Sequence, residues 1–200
     1  MKKVSILLCV IVIFSSCVPV LKIFYGFKNP QFEKHENIVK FQNEIGFQNI
    51  PYLGLKAEMW GSSNILSAPE IFVFNNEGKY IPYKDSLRPN CNGPAEIFLE
   101  ELNIEKKYYF SDDYNIYSFI GLLEGPECTH TNFIPNKDVD FIIFMTYSIF
   151  SGHKLYKEKS ALWLDALKQN NNMRYQICMV NLDPKDCWSA DQKKIFDSGK

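Results

Sequence analysis

The six cysteines are the side chains of this 200-residue chain with the widest chemical range. A cysteine acts as a nucleophile, a redox partner or a metal ligand through its thiolate, so its surroundings decide its role. Cys91 and Cys128 lie in the turn-like stretches RPNCNGP and GPEC. These two are candidates for a redox-active pair or for a structural disulfide. Cys178 lies in an apolar strand pattern, where we expect it to pack as a small hydrophobic side chain.

His153 is a second candidate for chemistry, because it follows Ser148 and Ser151 in the same short stretch. A histidine within reach of a serine can act as its general base. No aspartate in a suitable context completes a triad, so we interpret His153 as a solvated loop residue. The chain also lacks the GxSxG and HExxH motifs and any glycine-rich phosphate loop. No catalytic residue is assigned.

A zinc site built from His35, Cys91, Cys128 and His130 is the metal hypothesis that these residue types allow. Zinc sites usually combine closely spaced pairs of ligands, such as two cysteines two to four residues apart. This sequence has no such pair, so we predict neither a metal site nor a cofactor.

The first 17 residues have the order of a secretory signal. Two lysines open the chain, an eleven-residue run that is apolar except for Ser5 follows, and two serines precede Cys17. The apolar run is shorter than the roughly 20 residues that a membrane-spanning helix needs. We therefore predict export rather than a permanent transmembrane helix.

Residues 14–17, which read FSSC, resemble the lipobox of bacterial lipoproteins, with Phe14 where leucine is usual. The resemblance implies that residues 1–16 are a signal peptide and that Cys17 becomes the first residue of the mature protein. Cys17 would then carry acyl chains such as palmitate and anchor the protein to a membrane. The alternative is an ordinary secreted protein that is cut near Ser16. Val18 in place of aspartate favours the periplasmic face of the outer membrane.

Export would place the four remaining cysteines, Cys91, Cys128, Cys178 and Cys187, where disulfides form. Four cysteines allow three pairings. We prefer a disulfide between Cys91 and Cys128, because both lie in turns and the bond would close a long loop. Two free thiols are the alternative.

The composition predicts a folded domain. The chain is 46% hydrophobic, contains 16 phenylalanines and 11 tyrosines, and has a net charge of −1. Its lysines are dispersed, which argues against nucleic acid as a partner. A protein or a small molecule of unknown identity is the expected partner besides the membrane.

The chain divides into a tether with an N-terminal helical region, 17–66, and an α/β (or α+β) domain, 67–200. We expect the first helix to begin after Asn29-Pro30 and to end at Gly46. In the second region, residues 71–81 predict a β-hairpin. An insertion at about 86–137 separates this hairpin from the final third.

The last third predicts a βαβ unit. Residues 141–145 form a continuous apolar run, residues 155–169 follow as a helix, and residues 175–182 form a second strand. This spacing favours parallel strands with a right-handed crossover. The predicted inward stripe of the helix consists of Leu155, Leu162, Trp163 and Ala166. Residues 189–197 predict a short closing helix.

This βαβ unit resembles the core of a thioredoxin-like domain over residues 138–188. The resemblance lies in the apolar strand FIIF, the long helix and the strand end VNLD at 180–183. More weakly, Ala68-Pro69 followed by NEGK at 76–79 is similar to the entry hairpin of thiol-disulfide lipoproteins and peroxiredoxins. The resemblance implies a thioredoxin-like fold with N-terminal helical and hairpin extensions.

The sequence departs from that family where its chemistry resides. Thioredoxins carry Cys-x-x-Cys between the first strand and the helix, whereas residues 146–153 contain no cysteine. Without a thiolate, dithiol exchange cannot occur at this position. The usual later strand also has no counterpart after residue 182. The leading hypothesis is therefore a non-catalytic binding or interaction lipoprotein, and the alternative is a thiol-disulfide oxidoreductase that uses Cys91 and Cys128.

Overall fold

The structure is a computed structural model that describes residues 24–60, 68–83 and 94–198. The predictions on the signal peptide, Cys17 and Cys91 lie outside these residues. Within them the fold is a mixed α/β arrangement, as the sequence predicts. No helix among the described residues has the length and apolar character that crossing a membrane requires.

Seven strands form a single sheet. Their bounds are β1 Tyr52–Leu55, β2 Glu70–Asn75, β3 Lys79–Ile81, β4 Ser111–Asn115, β5 Leu123–Glu124, β6 Phe141–Tyr147 and β7 Tyr175–Asn181. The five helices in the described ranges are α1 His35–Glu44, α2 Pro94–Glu100, α3 Ile116–Gly121, α4 His153–Gln169 and α5 Ala190–Ser198.

The strand order across the sheet is β4-β3-β2-β6-β7-β1-β5. β6 and β7 are parallel and are joined by α4, which confirms the predicted βαβ unit. On the side opposite β7, β6 pairs with β2, which is antiparallel to it. β2 then forms an antiparallel hairpin with β3. β1 is parallel to β7. A cis peptide bond joins Ala68 to Pro69 immediately before β2.

Both faces of the sheet are covered, because successive side chains of each strand point to opposite sides. One face packs against helices α1, α2 and α4, with Val73, Ile143 and Met145 in its core. The other face packs against α3 through side chains such as Phe72, Phe144 and Phe119, all of which are buried. The central strands are therefore apolar on both sides, and this is why the sequence of β6 reads as a continuous hydrophobic run.

The first helix begins later than predicted. α1 starts at His35 rather than after Asn29-Pro30, although it ends near Gly46, whose φ of 98° continues the turn after the helix. The preceding residues are held instead by the loop that follows β7. The backbone N–H of Glu33 donates to the Pro184 carbonyl at 2.8 Å, and Glu33 accepts in turn from the N–H of Asp186 at 2.9 Å. These long-range bonds override the local helix signal.

The inward stripe of α4 is shifted from the predicted one. Trp163 and Ala166 are buried as expected, but the side chain of Leu162 is 49% exposed and Leu155 is only partly buried. Tyr156 and Ser160 occupy the buried face in their place. The prediction weighed hydrophobicity alone, whereas Ser160 is buried because its hydroxyl donates to the carbonyl of Ile45 at 2.6 Å.

The predicted tether region and the predicted insertion both contribute strands to the sheet. β1, from the region 17–66, lies between β7 and β5. β4 and β5, from the insertion, form the two edges. These short strands bring distant parts of the chain alongside the βαβ unit.

Candidate functional site at the carboxyl ends of β6 and β7

The parallel strands β6 and β7 end at the same edge of the sheet, where the loops after them meet. In open α/β sheets this edge is the usual location of a ligand site. Five buried polar residues lie here and form what we call the carboxyl-edge cluster: Ser148, Ser151, Tyr156, Asn181 and Asp183.

Asp183 holds the loop that follows β6. Its carboxylate accepts hydrogen bonds from the backbone N–H of Ile149 at 2.8 and 3.0 Å and from that of Phe150 at 3.3 Å. The side-chain amide of Asn181 donates to the same carboxylate at 2.7 Å. The VNLD sequence thus ends β7 with a side chain that fixes the neighbouring loop.

Burial dominates the acidity of Asp183. Removal from water raises the pKa of this carboxyl from 3.8 to about 7, against the opposing effect of the hydrogen bonds from Ile149 and Asn181. A carboxyl group that changes protonation near neutrality is one feature of functional sites. Here, however, only 1% of the residue is exposed, so no solute reaches it directly in this conformation.

The serines that the sequence places beside His153 do not form a catalytic pair with it. Ser148 and Ser151 are buried, and the hydroxyl of Ser148 donates to that of Ser151 at 2.6 Å. The ring of His153 lies outside, 3.7 Å from a carboxylate oxygen of Glu44 and edge-on to Phe41. This placement agrees with the interpretation of His153 as a solvated residue.

Residues 24–28, which we call the covering segment, lie over the loop that follows β6. The backbone N–H of Lys28 donates to the carbonyl of Phe150 at 2.7 Å. Gly152 has a φ of +86°, and a Cβ atom placed there would lie 1.9 Å from the carbonyl oxygen of Tyr25. Only glycine permits this approach, so the backbone of the covering segment packs directly on the backbone of the loop.

An open cavity of about 780 Å³ remains beside the covering segment. It lies between this segment, α1 and the start of α4. Its lining includes Phe24, Lys28, Lys40, His153 and Lys154. The cavity has aromatic side chains, three lysines and two glutamates, Glu33 and Glu44, in its walls and no cysteine among its lining residues.

The disulfide of the protein lies elsewhere and differs from the predicted one. Cys128 is bonded to Cys187, with 5.9 Å between their Cα atoms, and not to Cys91, which lies outside the described residues. No local pattern in the sequence indicates that the chain after β5, which carries Cys128, lies beside the chain after β7, which carries Cys187. Both lie beside β1, and this brings the two cysteines together. Cys178 is buried as predicted, and burial raises the pKa of its thiol to about 12.

The bonded Cys128 has no thiolate to offer a metal. Among the described residues there is no group of three or more histidine, cysteine, aspartate or glutamate side chains arranged to hold a metal ion.

A buried ion pair lies beside the disulfide. Nζ of Lys185 is 2.7 Å from Oε1 of Glu124, and these side chains are 2% and 10% exposed. The indole N–H of Trp188 donates to the same oxygen at 2.8 Å. Burial lowers the pKa of Lys185, and the hydrogen bond and charge of Glu124 oppose this shift. The pair is therefore structural, since its charges are satisfied within the fold.

Gly54 provides the space for this lysine. A Cβ atom at residue 54 would lie 2.4 Å from Nζ of Lys185 and 2.7 Å from its Cε. The sequence analysis did not identify Gly54, Lys185 or Glu124. A lysine between Pro184 and Asp186 looks like an exposed turn residue, and nothing local indicates that it is buried.

A small cavity of about 250 Å³ opens next to the ion pair and Cys187. His35 and Tyr52 line it, and Nδ1 of the histidine is 2.5 Å from the tyrosine hydroxyl. Burial, followed by the charge of Glu127, raises the pKa of Tyr52 to about 12. The phenol is therefore neutral at physiological pH.

Comparison of the chain with protein-family models, with curated proteins and with solved structures finds no match.

Proposed function

We propose that the protein is a lipoprotein of the bacterial cell envelope whose domain is a non-catalytic binding module on a thioredoxin-like scaffold. The proposal rests on the loop at the carboxyl end of β6. Where thioredoxins hold their reactive thiols, this loop has no cysteine and is fixed by Asp183 through Ile149 and Phe150.

The arrangement of the central strands supports the scaffold. β6, α4 and β7 form the parallel βαβ unit, and an antiparallel hairpin, β2 and β3, lies at the other edge of β6. In the sequence, this hairpin precedes the βαβ unit instead of following it. On this proposal, the upstream strand β2 takes the place of the family's later strand, joined in a different order.

The covering segment supports a non-catalytic role. It bonds to the backbone of Phe150 and packs on Gly152, so it occupies the side from which a substrate would approach the loop. A redox enzyme of this kind needs its thiols open to a protein substrate. The geometry instead leaves the adjacent cavity as the accessible concave surface.

The lipoprotein part of the proposal rests on the lipobox-like sequence that ends at Cys17. The disulfide between Cys128 and Cys187 supports an oxidising location, because such bonds are rare in the cytosol. Val18 favours the periplasmic face of the outer membrane.

An insulin-reduction assay on the purified, full-length mature chain tests the non-catalytic role. We expect no turnover above the uncatalysed rate, because residues 146–153, where thioredoxins carry their reactive thiols, contain no cysteine. The alternative, an oxidoreductase that uses Cys91 and Cys128, predicts turnover that disappears in Cys91→Ser and Cys128→Ser. Cys178→Ala is the matched control, since this thiol is buried. Turnover retained in the control and lost in the two serine variants would overturn the proposal.

A further inference from the structure

The structure shows where the described chain begins relative to the sheet. The covering segment is held at Phe150 and Gly152, and the residues after it are held at Pro184 and Asp186. These contacts lie on the loops after β6 and β7. The described chain therefore begins, at Phe24, near the carboxyl ends of the parallel strands.

The distance from Phe24 to Cys17 is limited by covalent geometry. Phe24 follows Cys17 by seven residues, and an extended chain spans at most about 3.6 Å per residue. An acylated Cys17 therefore lies within roughly 25 Å of Phe24. The amino end of β6 lies ~20 Å from its carboxyl end, because a seven-residue strand rises by about 3.3 Å per residue.

The surface around Phe24 has the composition of a membrane-contacting face. Phe24 is 63% exposed, and the exposed lysines Lys28, Lys40 and Lys154 line the same cavity. We call these four residues the anchor-side surface. An exposed aromatic ring among lysines is typical of segments that lie at the boundary between headgroups and acyl chains.

The charges of this surface favour anionic headgroups. None of the three lysines belongs to an ion pair within the described part of the chain. Two carboxylates, Glu33 and Glu44, line the same cavity; Glu33 accepts from the amide of Asn37 at 3.0 Å, and Glu44 lies 3.7 Å from the ring of His153. The three lysines outnumber these two carboxylates by one, and this excess of positive charge favours lipid phosphate groups.

We propose that the anchor-side surface rests on an anionic phospholipid bilayer, with Phe24 among the headgroups and Lys28, Lys40 and Lys154 on their phosphates. This proposal rests on the acylation of Cys17. It orients the domain, because it turns the carboxyl ends of β6 and β7 toward the membrane and leaves the turn between β2 and β3, at the amino end of β6, facing the aqueous phase.

Photo-crosslinking of the full acylated chain in vesicles of phosphatidylethanolamine and phosphatidylglycerol tests the orientation. The photoreactive residue p-benzoylphenylalanine replaces Phe24 in one variant and Tyr117 in the control. Tyr117 is a matched position, because it is 66% exposed and lies at the start of α3 next to the turn after β2, which is at the far end of β6. We expect lipid crosslinks several-fold more abundant at position 24.

The lysines are tested in the same assay. Lys40→Glu combined with Lys154→Glu is expected to lower the lipid crosslinking at position 24 several-fold. Lys107→Glu combined with Lys137→Glu is the control, because both lysines are exposed and lie outside the anchor-side surface.

The outcomes separate the two proposals. The intact mass of the purified chain reports acylation, and an unacylated chain would overturn the lipoprotein assignment itself. An acylated chain with equal crosslinking at positions 24 and 117 would overturn only the orientation. Crosslinks from position 24 to another protein, or a yield that Lys40→Glu and Lys154→Glu leave unchanged, would also overturn it.

Discussion

At the scale of single residues, Asp183 makes the free energy of unfolding depend on pH. Its buried carboxyl fixes the loop after β6 through Ile149 and Phe150, yet burial raises its pKa to about 7. The folded protein therefore binds this proton more tightly than the unfolded chain does. Stability from this group is fully present below about pH 4 and is lost as the pH rises through about 7.

We predict that Asp183→Asn reduces this pH dependence. The asparagine keeps one acceptor oxygen for the loop but does not ionise, so the fall in the free energy of unfolding between pH 4 and pH 7 becomes shallower than in the wild type. A single such group contributes up to about 1.4 kcal/mol per pH unit. Urea unfolding at several pH values measures the slope. Asp112→Asn, at an exposed position, is the control, and equal slopes for the wild type and Asp183→Asn would contradict the assignment.

Gly54 is a second residue on which a buried interaction depends. Alanine at this position would drive its methyl group into Nζ of Lys185, 2.4 Å away, and displace the lysine from Glu124. Loss of a buried ion pair typically costs about 3 kcal/mol or more, because it leaves a charge without its partner. We therefore predict that Gly54→Ala lowers the free energy of unfolding by about 3 kcal/mol.

Chemical denaturation measures this effect, and the chain offers a matched control. Gly121 has open space where its Cβ would be, so Gly121→Ala is expected to change stability little. Equal stabilities of the two alanine variants would show that the lysine is not confined as described.

At the scale of elements, the covering segment and the loop after β6 form one unit. Gly152 and Gly26 both have positive φ, so alanine adds backbone strain at either position. They differ in their surroundings: a Cβ at residue 152 meets the Tyr25 carbonyl at 1.9 Å, whereas a Cβ at residue 26 meets nothing within 4 Å. Gly26→Ala is therefore the control for alanine at a positive φ without a close contact.

We predict that Gly152→Ala releases the covering segment while Gly26→Ala leaves it in place. Release would expose the backbone around Tyr25 and Phe27, where chymotrypsin cleaves. Limited proteolysis followed by mass spectrometry is expected to show several-fold faster cleavage here in Gly152→Ala than in Gly26→Ala. Identical rates in the two variants would mean that the segment does not rest on Gly152.

The elements also show what the sequence could and could not predict. β6, α4 and β7 were recognisable because strands that are buried on both faces are continuously apolar. β4 was not, since its sequence SDDYN contains two aspartates and is poor in strand-forming residues, and only its pairing with β3 makes it a strand. The start of α1 was misplaced for a similar reason, because Glu33 bonds to the distant loop at Pro184.

The candidate site was predictable in outline only. The sequence alone shows that residues 146–153 contain no cysteine and that the second strand of the βαβ unit ends in VNLD. Both segments lie at the carboxyl ends of β6 and β7. The covering segment, the pairing of Cys128 with Cys187 and the burial of Lys185 depend on contacts between distant parts of the chain. No local pattern encodes such contacts.

At the scale of the whole molecule, the proposed lipid on Cys17 also determines how the domain is oriented relative to the membrane. The sheet is covered on both faces, and the described chain enters the domain at the carboxyl edge of its parallel strands. If Cys17 carries lipid, that edge is close to the membrane. The proposed location at the membrane and the orientation of the domain both depend on this single modification.

Acylation of Cys17 is tested by mass spectrometry of the N-terminal peptide of the protein, isolated from its native membranes. We predict a peptide that begins at Cys17 and carries a diacylglyceryl group on its sulfur, with or without a further acyl chain on its amine. A peptide that begins at Met1, or one that begins at Cys17 without any lipid, would contradict it.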